Sequence, residues 1–344
     1  TETTLETVHF IGIGIDYLKC SKNEPGISML DGCTNDLFKT YNTIFEKFKG
    51  EYNFETTFFS DVLKDGDNKN ELNILMGDNG ITDIKYPSYI NIKNYLIELA
   101  RKSKETGSTI TKYILYYSGH GSHQENWSWG GDNEARDQVF VFLNESESSY
   151  RVMVDDEMLG LMKDFNPNAN ITSIIDCCHS GTIMDIPSTT DGTMPTMSCI
   201  SSCSDTQTSA LVAGNSIFTS NINRFIRNKS VIKDGNIPLR PMAEWVNDEI
   251  TNVYSRFAGV NQTTKVTTNI SDGSPGLFGK IITDVGAPLV SIVYDVDHND
   301  ELTAASAMTA TAAVALAAVT VSDANFQKDF SDFIQYIREL IFGK

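Results

Sequence analysis

At 344 residues the chain is long enough for one large α/β domain or two ordinary ones. A formal charge of −18 argues against nucleic acid and anionic membrane surfaces as partners, and suits cationic substrates or bound metal cations. Six cysteines, two of them adjacent, do not make a disulfide framework, so reduced thiols in the cytoplasm are expected. The start, TETTLETVHFIGIGIDYL, has acids where a secretory signal needs bases.

In chain order, short apolar runs alternate with helical patterns. HFIGIGIDYL (9–18) reads as a strand, DLFKTYNTIFEKFKG (36–50) as a helix, and FETTFFSD (54–61) as a second strand. INIKNYLIELARKSK (90–104) is helical, and KYILYYSGHG (112–121) and QVFVFLN (138–144) read as strands. DDEMLGLMKDF (155–165) opens with acids that suit a helix N-terminus. ITSIIDCCH (171–179) and MSCISSC (197–203) are strands, IFTSNINRFIRNK (217–229) and PMAEWVNDEITNVYSRF (241–257) helices, and GLFGKIITDV (276–285) a last strand. The strands lack a polar face, and their order predicts a mostly parallel central sheet with helices on both faces. Ser, Thr, Gly and Pro mark loops at 187–196 and 230–240, and the first is a seam between regions 1–190 and 191–286.

Residues 287–344 depart from the pattern. The uncharged stretch TAASAMTATAAVALAAVTVS (303–322) is long enough to span a bilayer, but Ala, Thr and Ser contribute little insertion free energy. A packed Ala-rich helix is expected, followed by an amphipathic one at 326–342.

Open α/β sheets carry their sites beyond the C-terminal ends of the strands. Three polar clusters fall there: Ser118-Gly119-His120-Gly121, the acids that follow the strand at 138–144, and Asp176-Cys177-Cys178-His179. A thiol with an imidazole partner at one sheet edge suits nucleophilic attack on a carbonyl, since the imidazole can take the thiol proton and return it to a leaving amine. The flanking glycines leave backbone N–H groups free for an oxyanion. The residues alone leave two other readings open. One is a zinc site drawing on Cys177, Cys178, His179, His120, His123 and the Cys199–Cys203 pair, although no Cys-x-x-Cys spacing is present. The other is a flavodoxin-like binding module.

YYSGHGSH followed by IIDCCHSG resembles the paired His and Cys boxes of metacaspases, the caspase-like cysteine peptidases of family C14 in clan CD. The resemblance extends to LDGCTND (30–36), DQVFV (137–141), VDDEM (154–158) and SCSDTQTSA (202–210), and so spans residues 8–285. It implies an α/β caspase-like (caspase–haemoglobinase) fold, with 1–190 and 191–286 as large- and small-subunit-like regions. It also implies a peptidase cleaving polypeptides after Arg or Lys, with His120 as general base and Cys178 as nucleophile. Strand alternation agrees if it persists to the strand's end: Asp176 and Cys178 share a face and Cys177 points away. The family's pocket for the basic side chain maps onto Cys33, Asp36, Ser118 and Asp176. A carboxylate pair there can hold a guanidinium. Activating Ca2+ maps onto Asp137, Asp155, Asp156 and Asp185, since calcium takes six to eight oxygens. A basic loop with an extended approach, VIKDG, predicts self-cleavage after Lys233. A monomer is expected. The acidic segment common after the His box is reduced to GGDNEARDQ (130–138), and Phe142, Asn144 and Leu211 stand where Pro, Asp and Asp are usual. A catalytically silent scaffold and a metal-binding α/β module are the alternatives.

Overall fold

The computed structural model of the chain describes residues 5–22, 26–30, 32–62, 81–105, 107–108, 110–125, 136–146, 148–178, 180–181, 183–188, 191–203, 211–212, 215–227, 235–255 and 260–282. Strands β1 (Glu6–Gly14), β2 (Tyr52–Ser60), β3 (Ile81–Lys85), β4 (Ile110–Ser118), β8 (Asn170–Asp176), β9 (Thr196–Ser201) and β12 (Lys265–Thr268) form one seven-stranded sheet. Its order is β12-β9-β8-β4-β1-β2-β3. Every pairing is parallel except β12 with β9. Region 191–286 thus continues the sheet that 1–190 begins.

Helices cover both faces, as the alternating strands require. On one side α1 (Cys33–Phe48), α4 (Ile217–Arg227) and α5 (Leu239–Glu249) enclose Val8, Phe10, Ile114, Tyr116, Ile174 and Ile200. On the other, α2 (Tyr89–Ser103) and α3 (Asp155–Lys163) enclose Ile11, Ile13, Leu115, Tyr117 and Ile175. The alternating Gly12 and Gly14 of β1 let α1 lie close, because a Cβ at Gly12 would collide with Leu37. α1 starts at Gly32, whose positive φ of 116° suits only glycine comfortably, and no local side chain caps it. Asp16 does so from β1's exit, taking the Cys33 and Thr34 N–H groups at 2.8 and 3.4 Å.

Three expectations change. Residues 138–144 do not enter the central sheet: β6 (Arg136–Leu143) forms an antiparallel sheet with β5 (Gly121–Glu125) and β7 (Tyr150–Val154). Val139 to Leu143 are all buried, so this strand shows the continuous apolar run of a central one. Its Phe140 and Phe142 pack edge-on against Tyr117, at 5.0 and 5.8 Å between ring centroids. The expected strand 276–285 is instead a hairpin of β13 (Ser274–Gly276) and β14 (Gly279–Ile281), and the helix expected to 257 passes into a π-helical turn at Ile250–Ser255. The edge strand β3, short and half polar, gave no usable period. No helix among the described residues is long and apolar enough to cross a membrane. The stretches 303–322 and 326–342 lie outside them.

Candidate active site

Strand register assembles the first part of the site. Gly14 pairs with Ser118, which pairs with Asp176, so three neighbouring strands end level with one another. Alternation from Tyr116 and Ile174 puts Ser118 and Asp176 on the α1 face. Gly14 has no side chain, and a Cβ there would lie 2.9 Å from the Cys33 carbonyl oxygen, so the first turn of α1 rests directly on the strand end. Cys33, Asp36, Ser118 and Asp176 are thereby brought together, none more than 4% exposed. Asp36 Oδ2 accepts the Ser216 N–H at 2.9 Å, while buried Oδ1 has no hydrogen-bond partner among the described residues. Asp176 Oδ2 accepts the Thr219 hydroxyl at 2.6 Å, and Thr219 Oγ1 lies 2.9 Å from the Tyr116 hydroxyl. Burial, then the neighbouring Asp176, push the Asp36 carboxyl well above the usual carboxylate range.

Two residues beyond Ser118, His120 turns its ring onto the loop after β1. Its Nε2 lies 2.7 Å from the Ser28 carbonyl oxygen. A carbonyl only accepts, so Nε2 carries the proton and Nδ1 keeps a lone pair. Burial holds the imidazole below its ordinary pKa, with the Ser28 bond opposing. At neutral pH this is an uncharged ring with one basic nitrogen.

Tyr17, Ser28, Asp16 and Asp61 were not singled out from the sequence. The Tyr17 hydroxyl accepts the His120 N–H at 2.8 Å, and its ring centroid lies 4.6 Å from the imidazole. Asp61 Oδ1 and Oδ2 take the Asp16 and Leu18 N–H groups at 2.9 and 3.1 Å. The one available signal was position: Asp16 and Asp61 both follow the C-terminal ends of parallel strands.

β8 stops at Asp176, so alternation cannot be carried on to Cys178 as expected. Burial separates the two cysteines instead. Cys177 is 1% exposed, in the core on the α2 side, and its carbonyl accepts the Ser202 hydroxyl at 3.0 Å and the Cys203 thiol at 3.1 Å. Burial, then Cys203, push the Cys177 thiol well above its ordinary value. Cys178 is half-buried, whereas the other five cysteines are buried, and none of the six forms a disulfide. Gly121 lies against this pair, since a Cβ there would collide with the Cys178 carbonyl oxygen and lie 2.7 Å from Cys177 Sγ.

Of the acids expected to hold calcium, Asp155 has both carboxylate oxygens on backbone N–H groups. Asp155 Oδ2 and Oδ1 accept the Gln138 and Asp156 N–H groups, each at 2.9 Å, an arrangement that ties the start of α3 to β6. Burial raises its pKa to about 6, despite those two bonds. Asp137 is buried, Asp156 exposed, and Asp185 half-buried with a positive φ of 45°. Among the described residues no three acid, His or Cys side chains converge on a metal position. Lys233 lies outside the described residues.

A model of the family "Metacaspase, peptidase C14 domain" matches residues 10–187. The chain belongs to the metacaspases. Among its relatives, Metacaspase-1 of Saccharomyces cerevisiae is 27% identical over 178 residues, covering 52% of this chain and 34% of the yeast protein. Metacaspase-2 of Trypanosoma brucei brucei is 29% identical over 237 residues, covering 62% of this chain and 58% of the trypanosome protein. Both metacaspases are therefore longer, and the chain spans between a third and three fifths of their lengths. A Geobacter sulfurreducens protein of known crystal structure superposes with a TM-score of 0.50 at 16% identity, over 77% of this chain and 94% of that one. That likeness agrees with the α/β fold, and metacaspase membership makes it caspase-like.

Proposed function

We propose that this metacaspase is a cysteine endopeptidase that hydrolyses peptide bonds after Arg or Lys. Cys178 gives its proton to His120 Nδ1 as its sulfur attacks the scissile carbonyl. The tetrahedral oxyanion collapses to a thioester, and His120 returns the proton to the departing amine. Water, deprotonated by the same nitrogen, then cleaves the thioester and frees the thiol. The observation that carries this reading is the state of His120: a neutral ring with Nε2–H held by Ser28 and Nδ1 left basic. The difference in exposure between Cys178 and Cys177 supports the choice of nucleophile.

Specificity for a basic side chain is supported by Asp36 Oδ1, a buried acceptor without a hydrogen-bond partner among the described residues, beside a second carboxyl. A guanidinium would supply the missing donor and favour the ionised pair. Self-cleavage after Lys233, a monomeric state and a cytoplasmic location belong to the same proposal. Calcium enters as a proposed activator. A fluorogenic assay with Arg, Lys or Asp at the cleavage position, in millimolar calcium or excess chelator, tests the reading. Turnover of Arg and Lys but not Asp substrates supports it. Equal rates in both buffers remove calcium, and no turnover of any substrate favours a silent scaffold.

A further inference from the structure

We propose that Tyr17 and Tyr117 are positioning residues for His120, their hydroxyls clamping the two ends of its backbone so that Nδ1 is aimed at the nucleophile. This rests on the reading of His120 and Cys178 given above. The Tyr17 oxygen accepts the His120 N–H at 2.8 Å and donates its own proton to the Val141 carbonyl at 2.7 Å. The Tyr117 hydroxyl donates to the His120 carbonyl at 2.7 Å, which also takes the Val141 N–H at 3.3 Å. Both backbone groups of the residue that carries the ring are thus held by phenols, themselves 0% and 1% exposed and tied to β6.

Core filling alone does not account for this arrangement. Tyr17 adopts a φ of 58°, a region in which a bulky L residue is an outlier costing about 1–3 kcal/mol. Asp61 enforces that turn by taking the N–H groups on either side of it, those of Asp16 and Leu18. The strained backbone delivers the phenol to His120 and lays its ring beside the imidazole. Gly119 completes the device. A Cβ there would lie 2.8 Å from the Tyr117 oxygen and 2.9 Å from the Tyr17 oxygen, so only glycine lets both hydroxyls converge. A buried ring needs no hydroxyl, whereas a clamp does, and phenylalanine separates the two roles.

The test uses the full chain carrying Tyr17→Phe, Tyr117→Phe or Asp61→Asn, with His120→Ala and Cys178→Ala as controls. Measured are kcat and KM on an Arg peptide, the melting temperature, and the pH dependence of Cys178 alkylation by iodoacetamide. Each tyrosine variant is expected to lower kcat about ten- to hundredfold with KM little changed. The rate of Cys178 alkylation near neutral pH should fall with it, because a displaced Nδ1 no longer takes the thiol proton. Asp61→Asn, which keeps both phenols and loosens only the Tyr17 turn, should shift both readouts the same way. Wild-type kcat and alkylation profile in the variants that fold would overturn the clamp. So would a loss of activity that tracks loss of folded protein while the alkylation profile stays put. Activity surviving in His120→Ala or Cys178→Ala would instead bring down the underlying reading.

Discussion

Gly121 and Cys178 are packed so closely that the missing side chain of one makes room for the backbone of the other. The residue after His120 therefore lies directly on the peptide of Cys178. Gly121→Ala should displace Cys178 or His120 and lower kcat/KM at least tenfold, with a stability loss of about 1–3 kcal/mol from overpacking. Thermal melting and peptide hydrolysis measure the two effects. A fully active Gly121→Ala protein would show that the contact is not needed.

Thiol reactivity should follow exposure. Iodoacetamide at neutral pH is expected to label Cys178 first, with Cys20, Cys33, Cys177, Cys199 and Cys203 slow until the protein unfolds. Peptide mass spectrometry of partly labelled protein reads the order. Cys178→Ala should be inactive and Cys177→Ala active with a modest loss of stability. Faster labelling of Cys177 would reverse the assignment.

Asp36→Asn keeps an acceptor for the Ser216 N–H but removes the charge, so the fold should persist. KM for an Arg substrate should rise about ten- to hundredfold, the scale of a charge-assisted hydrogen bond, with kcat less affected. Unchanged KM would take Asp36 out of the pocket.

His9, at the far end of β1 from the site, should make the protein acid-labile. Its Nε2 donates to the Tyr95 hydroxyl at 2.6 Å, and burial, then Lys102, lower its pKa from 6.5 to about 4. The unfolded imidazole takes up its proton near 6.5 and the folded one only near 4. Between those values the unfolded chain binds more protons, and stability falls as pH drops, by about 3 kcal/mol in all. Asp16 and Asp155, each raised to about 6 chiefly by burial, act in the opposite direction, because their folded forms bind protons first. Comparing His9→Gln with the unaltered chain cancels those two. The variant should lose less stability between pH 7 and 4, and parallel melting curves at every pH would exclude His9.

What could be read from the sequence depended on how local the signal was. The alternating run of β1, the apolar strands β4 and β8, and the amphipathic α1 follow from neighbours a few residues apart, and the structure contains them. The β6 sheet was misplaced because a strand buried on both faces looks the same in either sheet. Cys33, Asp36, Ser118 and Asp176 were reached through their resemblance to a known pattern, and strand register explains why they meet. Tyr17, Ser28 and Asp61 left no such trace. Their bonds join backbone atoms to residues at least 43 positions away, and a hydroxyl or carboxylate that recognises a peptide group places no demand on the side chain it meets.

The link from Asp36 to Ser216 carries a consequence for a nicked molecule. Every residue assigned to the site, from Asp16 to Thr219, precedes the basic segment that begins at Arg227. A cut after Lys233 would leave the base, the thiol and the pocket on one fragment. The other fragment would contribute the edge strand β12 and the packing of Met242 and Val246, held by the β9 ladder, the core beneath α5, the Arg224–Glu249 ion pair and the bond from the Met197 N–H to Asn269. Processing there would sever no covalent connection within the site, and would turn the downstream segment from a part of the chain into a bound subunit.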